Sequence, residues 1–312
     1  MDISCFNMKD TTGYVANLEL GDWRPEQVAE MLNRVGYRAI SWSMPTGTFQ
    51  THGRAGIQKL IQATHDHGMT VSEINVEMDM VTLDTESRTA SVTFFKEVIQ
   101  AAAEVGLSTI KTYTGPIPWN PNALCIPEDI SEGEAWRSVS SILRQVLPTA
   151  ERYGIDLNIE AVFGHLCHDY YTLCSLFEQV ESPRLGVVMD PSHLYLYDND
   201  IPWAIRCLGD KIKHVHIKDV VGRLGPFPQS FVFPLPGEGQ IAWGPFLQAL
   251  KDINYRGFFT IEFESFVYYR RILRSDPERA AQLSLEHFQT LCDAIEVDDE
   301  FDGASLQTPW MK

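Results

Sequence analysis

A chain of 312 residues with 44% hydrophobic content can bury a large core, and α/β barrels commonly use this much chain as one domain. A formal net charge of −17, from 42 acidic against 25 basic residues, argues against a nucleic-acid partner and against an anionic membrane surface, since both are held by clustered Lys and Arg. Six cysteines without a C-x-x-C pair suggest neither a disulfide framework nor a thiolate zinc site, and the absence of a signal-like N-terminus or a long apolar run leads us to expect a reduced, cytoplasmic enzyme.

In chain order, an apolar run at residues 3–6 predicts the first strand. A helix near 25–35 follows, with Pro25 in its first turn, where a missing N–H costs little. Strands at 39–42, 70–74 and 109–113 alternate with helices near 54–67, 87–105 and 134–153. Strands at 156–160, 186–190, 213–217 and 258–262 alternate with helices near 170–180, 202–208, 243–252 and 277–296. Gly36, Gly68, Gly106 and Gly154 each stand between a helical run and the next strand, where a left-handed C-cap is needed. Eight βα units imply a parallel sheet, and its economical closure is a (β/α)8 TIM barrel over residues 1–296. The remaining 297–312, with Asp298, Asp299, Glu300 and Asp302, form an acidic tail without helical periodicity, expected to pack loosely or to meet another subunit.

Long Pro- and Gly-rich loops follow two of the strands, at 114–131 and 218–242. In such barrels the loops after the strands build the active site. Four successive apolar strands close on polar groups: Leu157-Asn-Ile-Glu160, Val187-Val-Met-Asp190-Pro-Ser-His193, His214-Val-His216-Ile-Lys218-Asp219 and Phe259-Thr-Ile-Glu262-Phe-Glu264. Neighbouring strands lie about 5 Å apart, so these groups converge. Three carboxylates and an imidazole make a hard site suited to Mn²⁺, Mg²⁺ or Co²⁺ more than to structural zinc.

These motifs, with Pro-Gly-Glu-Gly-Gln-Ile-Ala-Trp at 236–243 and Tyr-Arg-Gly-Phe-Phe-Thr-Ile-Glu at 255–262, resemble the xylose isomerase-like barrels of sugar isomerases, ketose 3-epimerases and inosose dehydratases. The resemblance spans residues 1–296. It implies that Glu160, Asp190, His216 and Glu262 hold one divalent metal per chain, Mn first and Co, Mg or Zn otherwise, with His216 rather than His214 as the matching histidine. It also implies that Glu160 and Glu262 shuttle protons through an enediolate of a keto sugar, and that His193 contacts substrate oxygens. Lys218, on the strand face of His216, could polarise a carbonyl or form an ordinary ion pair with Asp219 or another carboxylate. Glu238, Arg223, Trp119, Tyr113, His165 and His168 are further loop or strand-end residues at the expected mouth, with Glu238, Trp119, Tyr113 and His165 read as substrate contacts. Trp42, Phe163, Tyr195 and Tyr197 add aromatic surface suited to sugar or aryl stacking, or to a lid or subunit contact. Glu264 shares the parity of Glu262 and is a structural or substrate-contacting group.

Proton transfer beside a carbonyl leads to epimerisation, isomerisation or β-elimination. A lyase is therefore the alternative within the fold: an inosose-type dehydratase, or a subunit cleaving a keto-glycoside or C-glycoside with a small partner chain. A homo-oligomer is expected. A three-zinc DNA-repair endonuclease is the distant alternative, and it departs from the chain at Ser41-Trp-Ser43, Ser72-Glu-Ile-Asn75 and Phe231-Val-Phe233-Pro, where that family needs histidines or an Asp-x-His. Without a Gly-rich phosphate cradle or basic cluster after the seventh and eighth strands, a neutral sugar is favoured over a phosphorylated one.

Overall fold

Parallel strands joined by helices must hide both sheet faces, and a sheet closed on itself does so without leaving an edge. The computed structural model describes residues 1, 3–16, 20, 23–225 and 230–297. Seven strands, β1 (Thr12–Ala16), β2 (Ala39–Pro45), β3 (Thr70–Glu77), β4 (Thr109–Thr112), β5 (Asp156–Glu160), β6 (Leu185–Met189) and β7 (Ile212–Ile217), pair in parallel in chain order. The loop after β7 carries an antiparallel hairpin, β8 (Val221–Arg223) with β9 (Ser230–Val232). The eighth barrel strand is β10 (Phe259–Ile261), which joins β7 to β1 and closes the barrel.

Eight longer helices accompany the strands: α2 (Pro25–Val35), α3 (Thr46–Asp66), α4 (Thr85–Glu104), α5 (Glu132–Tyr153), α6 (Tyr170–Gln179), α8 (Ile201–Leu208), α9 (Trp243–Asp252) and α11 (Pro277–Val297). Their ends follow local chemistry. Ser131 and Glu134 form a reciprocal cap at the start of α5, and Gly154 ends it in the left-handed region at φ +71°. Gly36, Gly68 and Gly106 also have positive φ, as the sequence predicts. None of the helices among the described residues is long and apolar enough to cross a membrane.

The first strand is a correction. Residues 4–6 form a 3-10 turn, followed by the short helix α1 (Met8–Thr11), and the strand begins at Thr12. Ile3 and Phe6 are buried because they cap the end of the barrel where the strands begin, with Phe6 edge-on to Phe259 at 5.2 Å. Gly13 disguises the true strand. A Cβ there would lie 2.8 Å from Thr260 Cγ2 and 3.0 Å from Ala39 Cβ, so only glycine lets β1 sit between its neighbours. Asp190 and Glu262 fall one residue beyond β6 and β10, and two short helices at the mouth, α7 (Pro191–Leu196) and α10 (Phe266–Arg271), were not predicted. The acidic tail from Asp298 lies outside the described residues.

Candidate metal centre and substrate cavity

Glu160, Asp190, His216 and Glu262 each offer one ligand atom, and these atoms lie within 4.8 Å of one another. All four residues are buried. The Nδ1 atom of His216 faces the carboxylates, 2.9 Å from Glu160 Oε1, 3.4 Å from Glu262 Oε2 and 4.0 Å from Asp190 Oδ2. Glu160 Oε1, Asp190 Oδ2 and His216 Nδ1 are buried atoms without a hydrogen-bond partner. Buried polar atoms are usually paired, and three of the nine unpaired ones among the described residues converge here beside a fourth carboxylate, which fits a cation held by oxygen and nitrogen.

The atoms that face away from this point are each tied down. Glu160 Oε2 accepts from Lys111 Nζ at 2.5 Å, and Asp190 Oδ1 accepts from Ser192 N at 2.8 Å and Ser192 Oγ at 2.7 Å, capping α7. His216 Nε2 lies 3.2 Å from Glu73 Oε1, which fixes the ring if Nε2 carries the proton. Glu73 is fully buried on β3, 3.5 Å from His214 Nε2, and also accepts from Ser41 Oγ at 3.2 Å. His214 in turn meets Thr260 Oγ1 at 2.7 Å. Glu73, His214 and His216 form a second group with metal-ligand geometry, deeper in the barrel, but its atoms already bond to one another.

Charge follows from these contacts. Burial disfavours the ionised form of Glu160, yet Lys111 and then His216 outweigh it and hold the carboxyl well below the usual range. Burial likewise opposes charge on Glu262, and Lys218, His216 and Lys111 overcome it. Burial, and then the Lys218 ammonium, push His193 down to about 4, so its imidazole is neutral near pH 7. Burial pushes Glu264 up to about 7 although Lys218 opposes the rise.

Lys218 pairs with carboxylates, as one of the two expectations had it, but Asp219 is not among them. Its Nζ sits 2.6 Å from Glu262 Oε2, 3.0 Å from Asp190 Oδ2, 3.2 Å from Glu264 Oε2 and 3.1 Å from His193 Nε2. Asp219 instead accepts from the backbone N–H groups of Val220, Gly237, Gly239 and Ile241 and from Trp243 Nε1, at 2.9–3.1 Å, and so folds the loop back onto the barrel. A Cβ at Gly239 would collide with that carboxylate.

Above the four ligand-type groups opens a cavity of about 800 Å³. Glu160, Glu262, Lys218, His193, Glu264, Glu77 and Tyr113 line its polar part. Trp42, Trp119 and Phe163 also line it, as do Phe231 and Phe233 of the loop after β7. The hairpin is anchored to the segment that begins at Asp190: Arg223 on β8 bonds Asp198 at 2.7 Å and lies 3.5 Å over the ring of Tyr195 on α7. Other predicted residues lie elsewhere. His165 is buried against Tyr113 and Trp119, accepts from Gly115 N at 3.1 Å, and is not among the cavity-lining residues. His168 stacks on Tyr197 at 4.3 Å, and Glu238 is exposed, 4.0 Å from His287 on α11.

A family model described as xylose isomerase-like TIM barrel matches residues 29–291. Among curated proteins, the chain is 25% identical to a D-psicose 3-epimerase of Enterocloster bolteae over 66% of this chain and 62% of that protein. It is 25% identical to an inosose dehydratase of Halalkalibacterium halodurans over 53% and 57%, and 25% identical to a fructoselysine 3-epimerase of Shigella flexneri over 83% and 90%. The first two matches thus span less than two thirds of those relatives' length. Among solved structures, a D-psicose 3-epimerase with D-fructose superposes with a TM-score of 0.71 at 16% identity, covering 91% of this chain and 99% of that one. The IolI protein with a bound zinc atom superposes with a TM-score of 0.70 at 19% identity, covering 92% and 98%.

Proposed function

Since the chain belongs to the xylose isomerase-like TIM-barrel family, we propose that it is a divalent-metal-dependent isomerase or epimerase that moves a proton at the carbon beside the carbonyl of a keto sugar. The observation that carries this reading is the convergence of Glu160, Asp190, His216 and Glu262 at the polar end of the cavity, with one ligand atom of each within 4.8 Å of the others. A divalent cation held there, Mn²⁺ first among the candidates, supplies positive charge for the oxyanion that develops on the substrate. The rest of the chemistry belongs to the chain. Glu160 and Glu262 both stay ionised and both line the cavity, so either can accept a proton from a substrate carbon and return it. Neutral His193 can hold a substrate hydroxyl, and the aromatic wall excludes water from the intermediate.

Elimination is the second reading, favoured by one feature. Lys218 Nζ and His193 Nε2, 3.1 Å apart in the cavity, supply a proton donor that could meet a leaving oxygen. The kinship with an inosose dehydratase agrees with it.

The test is metal content by mass spectrometry, beside Asp190→Ala and His216→Ala variants, followed by solvent-deuterium incorporation into a panel of keto sugars. About one Mn, Co, Mg or Zn per chain, lost in both variants, with deuterium appearing beside the carbonyl, is the expected outcome. A protein that takes up no metal on reloading, or exchanges no deuterium when loaded, overturns the proposal. Loss of water or of a substituent in place of an isomeric sugar selects the second reading.

A further inference from the structure

We infer that the substrate carries an aromatic group, or an apolar group of comparable size, attached to the keto sugar, and that Phe163, Phe231 and Phe233 form the subsite that receives it. This rests on the proposed site for the sugar and goes beyond it in naming the substrate class. A cavity of about 800 Å³ lies toward the large end of the roughly 300–1,000 Å³ that enclose drug-sized ligands. A single sugar ring bound at Glu160 and Glu262 would leave much of it unfilled.

The chemistry of the lining is divided. Glu160, His193, Lys218, Glu262 and Glu264 concentrate the polar groups at the metal-ligand end. Beyond them, Phe163 lies 5.1 Å from Phe231 and 6.2 Å from Phe233, ring to ring, and Phe231 lies 5.4 Å from Phe233. This cluster begins where the polar groups end: Phe163 and Phe233 lie 5.6 and 5.9 Å from the His193 ring, and Lys218 Nζ lies 4.9 Å from the Phe233 ring. A second sugar ring placed there would bring several hydroxyls against phenyl faces with few partners, which is costly. An aromatic ring would instead make the offset and edge contacts that these rings already make with one another.

A phosphate is a poor occupant. Lys218 is the only Lys or Arg among the described residues that line the cavity, and it is already engaged by Asp190, Glu262 and Glu264.

The test uses a matched pair of probes, methyl and phenyl 3-oxo-β-D-glucopyranoside, identical in the keto-sugar head. Binding to the Mn²⁺-loaded full chain is followed through tryptophan fluorescence, with calorimetry as the check. The phenyl compound is expected to bind about tenfold or more tightly than the methyl compound. That advantage, read as the ratio of the two affinities within each protein so that any change at the shared sugar head cancels, should fall to about twofold in Phe233→Ala and in the milder Phe163→Leu. Equal affinity for the two probes in the parent, or an advantage that both variants retain, overturns the inference. Deuterium exchange on the same two compounds keeps the failures apart. Exchange in both with equal affinity rejects the aromatic subsite and leaves the proposed chemistry standing. A phenyl preference that depends on Phe163 and Phe233, without exchange in either compound, supports the subsite and rejects the chemistry.

Discussion

Glu73 shows how much of a site can lie beneath the residues that would touch a cation. Its carboxylate is buried without solvent, and burial alone would neutralise it, yet His214 and His216 hold its pKa below the ordinary value. Its role is to fix the imidazole of His216 through Nε2 so that Nδ1 faces Glu160 and Glu262. Glu73→Gln keeps the side-chain volume but removes the charge, and should weaken Mn²⁺ binding by roughly tenfold; Glu73→Ala should weaken it by up to about a hundredfold. Competition with a fluorescent chelator measures the affinity, and a melting curve of the apo protein separates this effect from general destabilisation. An affinity that stays within about twofold in Glu73→Ala would leave the residue a structural role only. Glu160, Asp190 and Glu262 stood out because each follows an apolar run at a strand end, where a charge is conspicuous, and His216 was singled out over His214 by the family resemblance. Glu73 and Lys111 did not stand out, because inside a strand a single charge reads as an ordinary solvent-facing residue. Only barrel closure turns those positions inward.

At the level of elements, periodicity gave the helices and most strands, because buried parallel strands and amphipathic helices carry strong patterns. The failures lie where pattern and burial separate. Residues 3–6 are apolar because they cap the barrel floor, whereas Thr12-Gly-Tyr-Val-Ala16 is a strand whose glycine weakens its signal. The hairpin after β7 escaped notice because a Pro- and Gly-rich run reads as plain loop. Its geometry depends on Asp219, which satisfies four backbone N–H groups and one indole. Asp219→Asn turns one of its acceptor oxygens into a donor facing other donors, and should lower stability by about 3 kcal/mol. Urea denaturation reads that loss, and limited proteolysis should cut first between β7 and α9. An unchanged midpoint together with an uncut loop would show that other contacts hold the segment.

Across the whole molecule, negative charge is gathered inward as well as spread over the surface. Among the described residues, Glu160, Asp190, Glu262 and Glu264 at the mouth, with Glu73 beneath them, are met by Lys111 and Lys218 alone as permanent cations, an imbalance that a divalent ion would relieve. One connection in this region has a thermodynamic consequence. Asp190 starts α7, Tyr195 and Asp198 at the far end of that segment grip Arg223, and Arg223 belongs to the hairpin that brings Phe231 to the cavity. Through these contacts, a cation that ordered Asp190 would also order the apolar wall. Coupling between two binding events is reciprocal, so toluene, which has no oxygen to reach the metal, should raise Mn²⁺ affinity by the same factor by which Mn²⁺ raises toluene affinity, about fivefold for a coupling of ~1 kcal/mol. Arg223→Ala should bring both factors to about one. Unequal factors would mean that the two ligands do not share one equilibrium, and an undiminished factor in Arg223→Ala would place the linkage elsewhere. With that coupling, the protein would hold its metal most tightly when an apolar ligand is already in place, so scarcity of one ligand would be felt as weak binding of the other.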